Sequence, residues 1–164
     1  MHILLLVLLL AAALLLSSTV LEFIRVAGVK PDLVLVLVVY YAIFNGPREG
    51  AFLGFLGGLA HDFLSGYYLG LNAVALAVAG YAVGLGHLRL FKENHFVVAG
   101  IAFLATILVE GIRYLLLLFL GVTIFPGEVW WGLMIPGGVY NAAVALLFYR
   151  RFYLSSTRGL LRIP

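Results

Sequence analysis

The chain is 164 residues long, 65% hydrophobic and only 10% charged, with a mean hydropathy of +1.17 and a formal net charge of +3. A soluble domain carries about 25% charged residues, so these figures describe an integral membrane protein. At about 20 residues per span the length holds about six helices with short loops and leaves no room for a water-soluble domain, which weighs against most enzyme classes. The absence of cysteine excludes disulfides and thiol chemistry, and the small basic excess concerns topology rather than nucleic acid.

Ile3 to Val20 is an unbroken run of apolar and small residues. It begins with His2 rather than a basic cluster, is long for a signal-peptide core, and has no clear cleavage site before Glu22. It is therefore read as a retained first helix over about 3–21. Glu22 to Pro31 connects it to a second apolar run. Pro31 suits a first helical turn and Asp32 a helix N-terminus, where the dipole favours an anion, giving a second helix over about 32–45. Its many valines would suit a buried strand in a soluble protein, but an isolated strand in a bilayer leaves its backbone unsatisfied.

Asn45 to Glu49 reads as a turn, followed by a third helix over 50–65. Gly66 to Gly70 turns the chain again, and a fourth helix runs over 71–88. Arg89 to His95 is the most polar loop, with Lys92, Glu93 and Asn94. A long fifth helix covers 96–122 and ends at the Phe125-Pro126-Gly127-Glu128 break. The sixth covers 129–149, with a kink expected at Pro136, Gly137 and Gly138, and a basic tail occupies 150–164. The reading is thus all-α: one integral membrane domain, 1–164, with six transmembrane helices. The second and third helices are short for a bilayer, which calls for local thinning or shielding by other helices.

An even number of spans puts both termini on one side. That side holds seven basic residues, Arg48, Arg89, Lys92, Arg150, Arg151, Arg158 and Arg162, against Arg25 and Lys30 on the other, with Arg113 inside the fifth helix. The asymmetry places both termini in the cytoplasm. Tyr67, Tyr68, Trp130 and Trp131 then fall together as an outer aromatic belt, and Phe148, Tyr149, Phe152 and Tyr153 mark the inner interface.

Gly50, Gly54 and Gly58 are four apart, so they share one face of the third helix and let another backbone approach closely. The neighbour is either another helix of this chain or a partner protein. Asp62 continues that face. An intramembrane acid is costly, and two roles are open for it: a cap on the following turn that accepts N–H bonds from Ser65 or Gly66, or a proton or ligand site. Glu110 and Arg113 are three apart on the fifth helix and can pair. Together they are tolerable if turned inward, as a structural pair or as a transport or recognition element. Asn72, Thr106, Tyr140 and Asn141 are available to extend a polar interior. His2, His61, His87 and His95 lack the spacing of a helical metal site. No Ser-His-Asp arrangement, phosphate-cradling loop or catalytic pair of carboxylates is found. No catalytic, cofactor-binding or metal-binding residue is assigned, and the chain is read as non-enzymatic.

With these residues in view the chain resembles the MreD family of the bacterial rod-shape system. Pro31-Asp32-Leu33 opens the second helix as in that family. Gly54, Phe55, Gly58, Asp62, Ser65, Gly66, Leu69 and Gly70 fit its third-helix pattern G-F-x-x-G-x-x-x-D-x-x-S-G-x-x-L-G. Pro126 and Glu128 precede the aromatic pair Trp130 and Trp131, and Arg150-Arg151 follows the last helix. The charge of Glu110 with Arg113 departs from the family's fifth helix, and the first connector is short.

The resemblance implies a multi-pass protein of the bacterial inner membrane that acts in cell elongation and the regulation of cell shape. It implies MreC as a binding partner, a possible homodimer, and links to RodA with its transpeptidase and, indirectly, to MreB, in support of lateral peptidoglycan synthesis. The six-helix layout is also similar to the substrate-binding subunits of energy-coupling-factor transporters, a likeness of architecture alone. Two functions are therefore weighed. A scaffold needs glycine-lined apolar grooves and few buried polar groups. A small-molecule-binding transporter subunit needs a polar cavity facing outward, for which Asp62, Asn72, Glu110 and Arg113 are the candidates. A lipid-handling role is a third, weaker option, because Arg113 lies deep for a headgroup.

Overall fold

The computed structural model describes residues 2–19, 28–66, 68–86 and 94–157, with the side chains of 6–19, 28–66, 68–86 and 94–151. The described residues are all-helical. The helices are α1 (His2–Ser18), α2 (Leu33–Asn45), α3 (Pro47–Ser65), α4 (Leu71–Leu85), α5 (His95–Phe119) and α6 (Ile135–Thr157). A π-helical segment, Glu128–Met134, leads directly into α6. Among the described residues, His95–Phe119 and Glu128–Arg151 are the helices both long and apolar enough to cross a bilayer by length and composition.

Two starts differ from the sequence reading, each for a local reason. Residues 45–49 were expected to be a turn, yet Asn45 ends α2 and α3 begins at Pro47, because proline's fixed φ and missing N–H suit a first helical position. Gly46 makes the junction possible by adopting φ of 100°, a region favoured by glycine alone. The expected kink near Pro136 takes the form of the π segment just before it. A proline has no N–H and its ring crowds the carbonyl four residues back, and a widened turn relieves both. The ends differ too. α5 stops at Phe119 rather than 122, and α6 runs to Thr157, so Arg150 and Arg151 belong to a helix rather than a tail. The expected ends of the first and fourth helices at 21 and 88, and the last residues of the tail, lie outside the described residues.

The core is α2. Asp32 caps it by accepting an N–H bond from Leu35 at 3.0 Å, and every residue from Val34 to Ile43 is buried. At 13 residues and about 1.5 Å per residue it is far shorter than a ~30 Å hydrocarbon core. It is enclosed by α1, α3, α4, α5 and α6, so it need not match the bilayer. Tyr40 on this helix donates its hydroxyl to the Ala145 carbonyl of α6.

The closest pairing joins α3 to α4. A Cβ on Gly50 would overlap the Gly80 carbonyl, one on Gly54 the Leu76 carbonyl, and one on Gly58 the Asn72 carbonyl. From the other side, Gly80 lies against the Gly50 backbone and Gly84 against Pro47. Five glycines therefore form one seam along which two backbones touch. The neighbour of the Gly50, Gly54 and Gly58 face is thus α4 of the same chain.

Candidate functional site

Helices alternate in direction, so the ends of α1, α3 and α5 meet the starts of α2, α4 and α6 at one end of the bundle. Most of the buried polarity gathers there.

Asp62 is 2% exposed, near the end of α3. Its carboxylate accepts from the backbone N–H of Gly70 at 2.9 Å, Asn72 at 3.1 Å and Ala73 at 3.2 Å, and from the Asn72 side-chain amide at 2.7 Å. Those backbone donors are the unsatisfied first turn of α4, whose own cap position, Gly70, has no side chain to offer. Asp62 is therefore the cap of the next helix, with its charge against that helix's positive end. The expected bonds from Ser65 and Gly66 to the carboxylate are not made. Gly66 N–H instead closes α3 onto the Asp62 carbonyl at 3.0 Å. Beside this, His61 Nδ1 lies 3.3 Å from Ser65 Oγ and 3.2 Å from Asn72 Nδ2.

The second cluster centres on Arg113. Its Nη1 donates to Glu110 Oε1 at 2.5 Å, and its Nη2 to Asp32 Oδ2 at 3.3 Å. The guanidinium therefore bridges α5 to the start of α2. The Asp32 N–H donates to Asn141 Oδ1 at 2.7 Å, the Asn141 amide donates to Thr106 Oγ1 at 3.0 Å, and Thr106 returns its proton to the Ala102 carbonyl at 2.8 Å. Asn141 and Thr106 are each 2% exposed, so this chain of bonds ties α2, α5 and α6 together from within.

A cavity of about 240 Å³ opens on this network, lined by Ser17, Lys30, Asp32, His61, Glu110 and Arg113 among others. Among the described residues no group of three or more His, Asp and Glu side chains is placed to hold a metal. A larger groove of about 650 Å³ lies between the α3–α4 turn and the end of α5. It is walled by Phe63, Leu69, Leu71, Val74, Leu116 and Phe119, and its one acid, Asp62, is already consumed by α4.

The residues singled out from sequence therefore form two groups, bridged by His61, which contacts Asn72 and lines the Arg113 cavity. Asp62 pairs with Asn72, and Glu110 pairs with Arg113. Tyr140 packs elsewhere than in the cavity lining. Tyr68, Trp130 and Trp131 are exposed at the same end of the bundle, at 45%, 52% and 75%, while Tyr67, His87 and the side chains of His2, Phe152 and Tyr153 lie outside the described residues. Sequence reasoning did not find Asp32 as a partner of Arg113, or Gly80 and Gly84 as the other half of the seam. The four-residue spacing of those two glycines was the available signal.

A family model described as rod shape-determining protein MreD matches residues 1–155. No match is found among curated proteins or among solved structures.

Proposed function

The chain belongs to the MreD family of rod shape-determining proteins, and from that premise we propose that it is a non-enzymatic scaffold of the cell-elongation machinery that binds MreC. As a member of that family it is a membrane protein of the rod-shape system. The scaffold reading adds six spans, both termini in the cytoplasm of an inner-membrane protein, and contact with MreC that supports lateral peptidoglycan synthesis. The single observation that supports it is the family match over nearly the whole chain. The chemistry agrees with it: the acids inside the bundle are held by Arg113 or by the N–H groups of a helix start, and the outside presents bulky apolar side chains such as Phe52, Phe55, Phe63 and Leu115.

With the glycine seam taken up by α4, a partner helix would meet that bulky outer surface rather than the notches. The test is depletion and capture in a rod-shaped host. Depletion should give rounded cells, and the tagged chain should bring down MreC from solubilised membranes. Cells that stay rod-shaped, with no MreC recovered, would overturn the proposal. The second reading, a small-molecule-binding transporter subunit, draws on one observation, the polar cavity at the α2 end of the bundle.

A further inference from the structure

His61 lies one turn before the end of α3, between the two polar clusters. Its Nδ1 is 3.2 Å from Asn72 Nδ2 and 3.3 Å from Ser65 Oγ, and its side chain shares the wall of the 240 Å³ cavity with Lys30, Asp32, Glu110 and Arg113. The neighbours decide which ring nitrogen carries the proton. Asp62, enclosed by backbone N–H groups, accepts from Asn72 Nδ2 at 2.7 Å. The same N–H₂ group faces His61, and an amide nitrogen has no lone pair to offer. His61 Nδ1 is therefore the acceptor, and the ring is neutral with its proton on Nε2. The Ser65 hydroxyl can rotate to suit either protonation state. The Asn72 amide cannot, because reversing it would set its carbonyl against the Asp62 carboxylate.

Imidazole is the side chain that ordinarily changes charge in the near-neutral range. A proton on Nδ1 would point an N–H at the Asn72 N–H₂, and that contact is lost. Charges of both signs surround the ring: Asp62 from α3, Lys30 and Asp32 from the head of α2, and Glu110 and Arg113 from α5. Lys30 donates to the Ser17 carbonyl at 3.4 Å, and Arg113 is held by both acids. Among the described residues, α1, α6 and the π segment bring only uncharged side chains to this lining, and α4 meets the ring through Asn72. The contact that a proton cancels is thus the one to α4, and the cavity leaves the ring room to turn.

We propose that His61 is a proton-operated latch on the junction between α3 and α4. Neutral, it holds the Asn72 amide and so steadies the cap that Asp62 places on α4. Protonated, it releases that amide and turns toward the cavity wall that carries Asp32 and Glu110. Asp62 keeps its backbone donors in both states, so the junction loosens without unfolding. In the proposed topology this end of the bundle faces outside, where external acidity would work the latch. That orientation rests on the scaffold reading, whereas the latch itself belongs to the purified chain.

The test is NMR of the full chain in detergent, with ¹⁵N in histidine and asparagine. Replacing the other three histidines, by His2→Gln, His87→Gln and His95→Gln, leaves His61 as the one ring in the spectrum without altering the site. The Asn72 side-chain amide is then the one with cross-peaks to that ring. At about pH 8 the ring should show a bare Nδ1 and a protonated Nε2. On descent to about pH 5 the Asn72 amide should shift in step with the ring. Its hydrogens should then exchange about tenfold faster than in His61→Gln at the same pH, where the Gln oxygen accepts without titrating. A proton on Nδ1 at the alkaline end, or no cross-peak there between ring and amide, overturns the proposal, and neither reading depends on His61→Gln folding. So does an Asn72 amide that stays still while the ring titrates, or a ring that stays neutral throughout.

Discussion

Asp62 illustrates how a membrane interior tolerates an acid. A carboxylate at mid-bilayer costs about 2.5–3.5 kcal/mol on insertion scales, yet this one is enclosed by four donors that themselves need an acceptor. Replacing it with alanine strands the first turn of α4 and should cost about 1–3 kcal/mol, read as a lower melting temperature in detergent. Asp62→Asn should also destabilise, because an amide N–H₂ turned toward backbone N–H groups cannot accept from them. Unchanged melting in both variants would remove the capping role. Arg113 makes the complementary case. Arg113→Leu leaves two carboxylates facing each other. Breaking a buried pair costs about 3–5 kcal/mol, and the side chain's 18% exposure places this one at the lower end. Adding Glu110→Gln and Asp32→Asn to Arg113→Leu should restore part of the lost stability. If the triple variant melts no higher than the single one, charge compensation is not what Arg113 provides.

Among the helices, the decisive contacts are backbone on backbone. A methyl group at Gly54 has nowhere to go except into the Leu76 carbonyl. Gly54→Ala should therefore push α3 from α4 at a cost of about 1–3 kcal/mol or more. Gly100→Ala is the internal control: nothing lies within 4 Å of the added carbon. It should be neutral or stabilising by about 0.5–1 kcal/mol from helix propensity. Equal melting temperatures for the two variants would dispose of the seam.

This element scale is also where the sequence was most readable. Apolar runs broken by glycine and proline give the helix order, and four-residue glycine spacing marks a close-packed face. The Asp32–Arg113 pair was illegible because its members are separated by 81 positions, and no local periodicity links residues that far apart. Glu110 is within one helical turn of Arg113, so only that half of the pair could be read. Asp62 was legible as a cap. The helix it caps was not, because the donors lie across a turn whose path depends on Gly66 and Gly70, both at positive φ.

For the molecule as a whole, the proposed topology puts Thr123, between α5 and the π segment, on the outer side and Arg151, on α6, in the cytoplasm. Both side chains are exposed, and the chain has no cysteine of its own, so single cysteines report without background. Thr123→Cys should react with a membrane-impermeant maleimide in intact cells, and Arg151→Cys only after permeabilisation. The reverse pattern would invert the orientation, and labelling of both in intact cells would break the six-span count.

The distance along the chain between Asp32 and its guanidinium partner has a consequence for biogenesis. Ribosomal synthesis is vectorial and delivers α2 to the translocon well before α5. Until Arg113 is made, the carboxylate at the head of the central helix has no counter-ion from α5, and a nascent chain released at Gly86 would never acquire one. Synthesis of the fifth segment therefore brings the central helix its guanidinium partner, and the sixth then adds Asn141 to the same helix start.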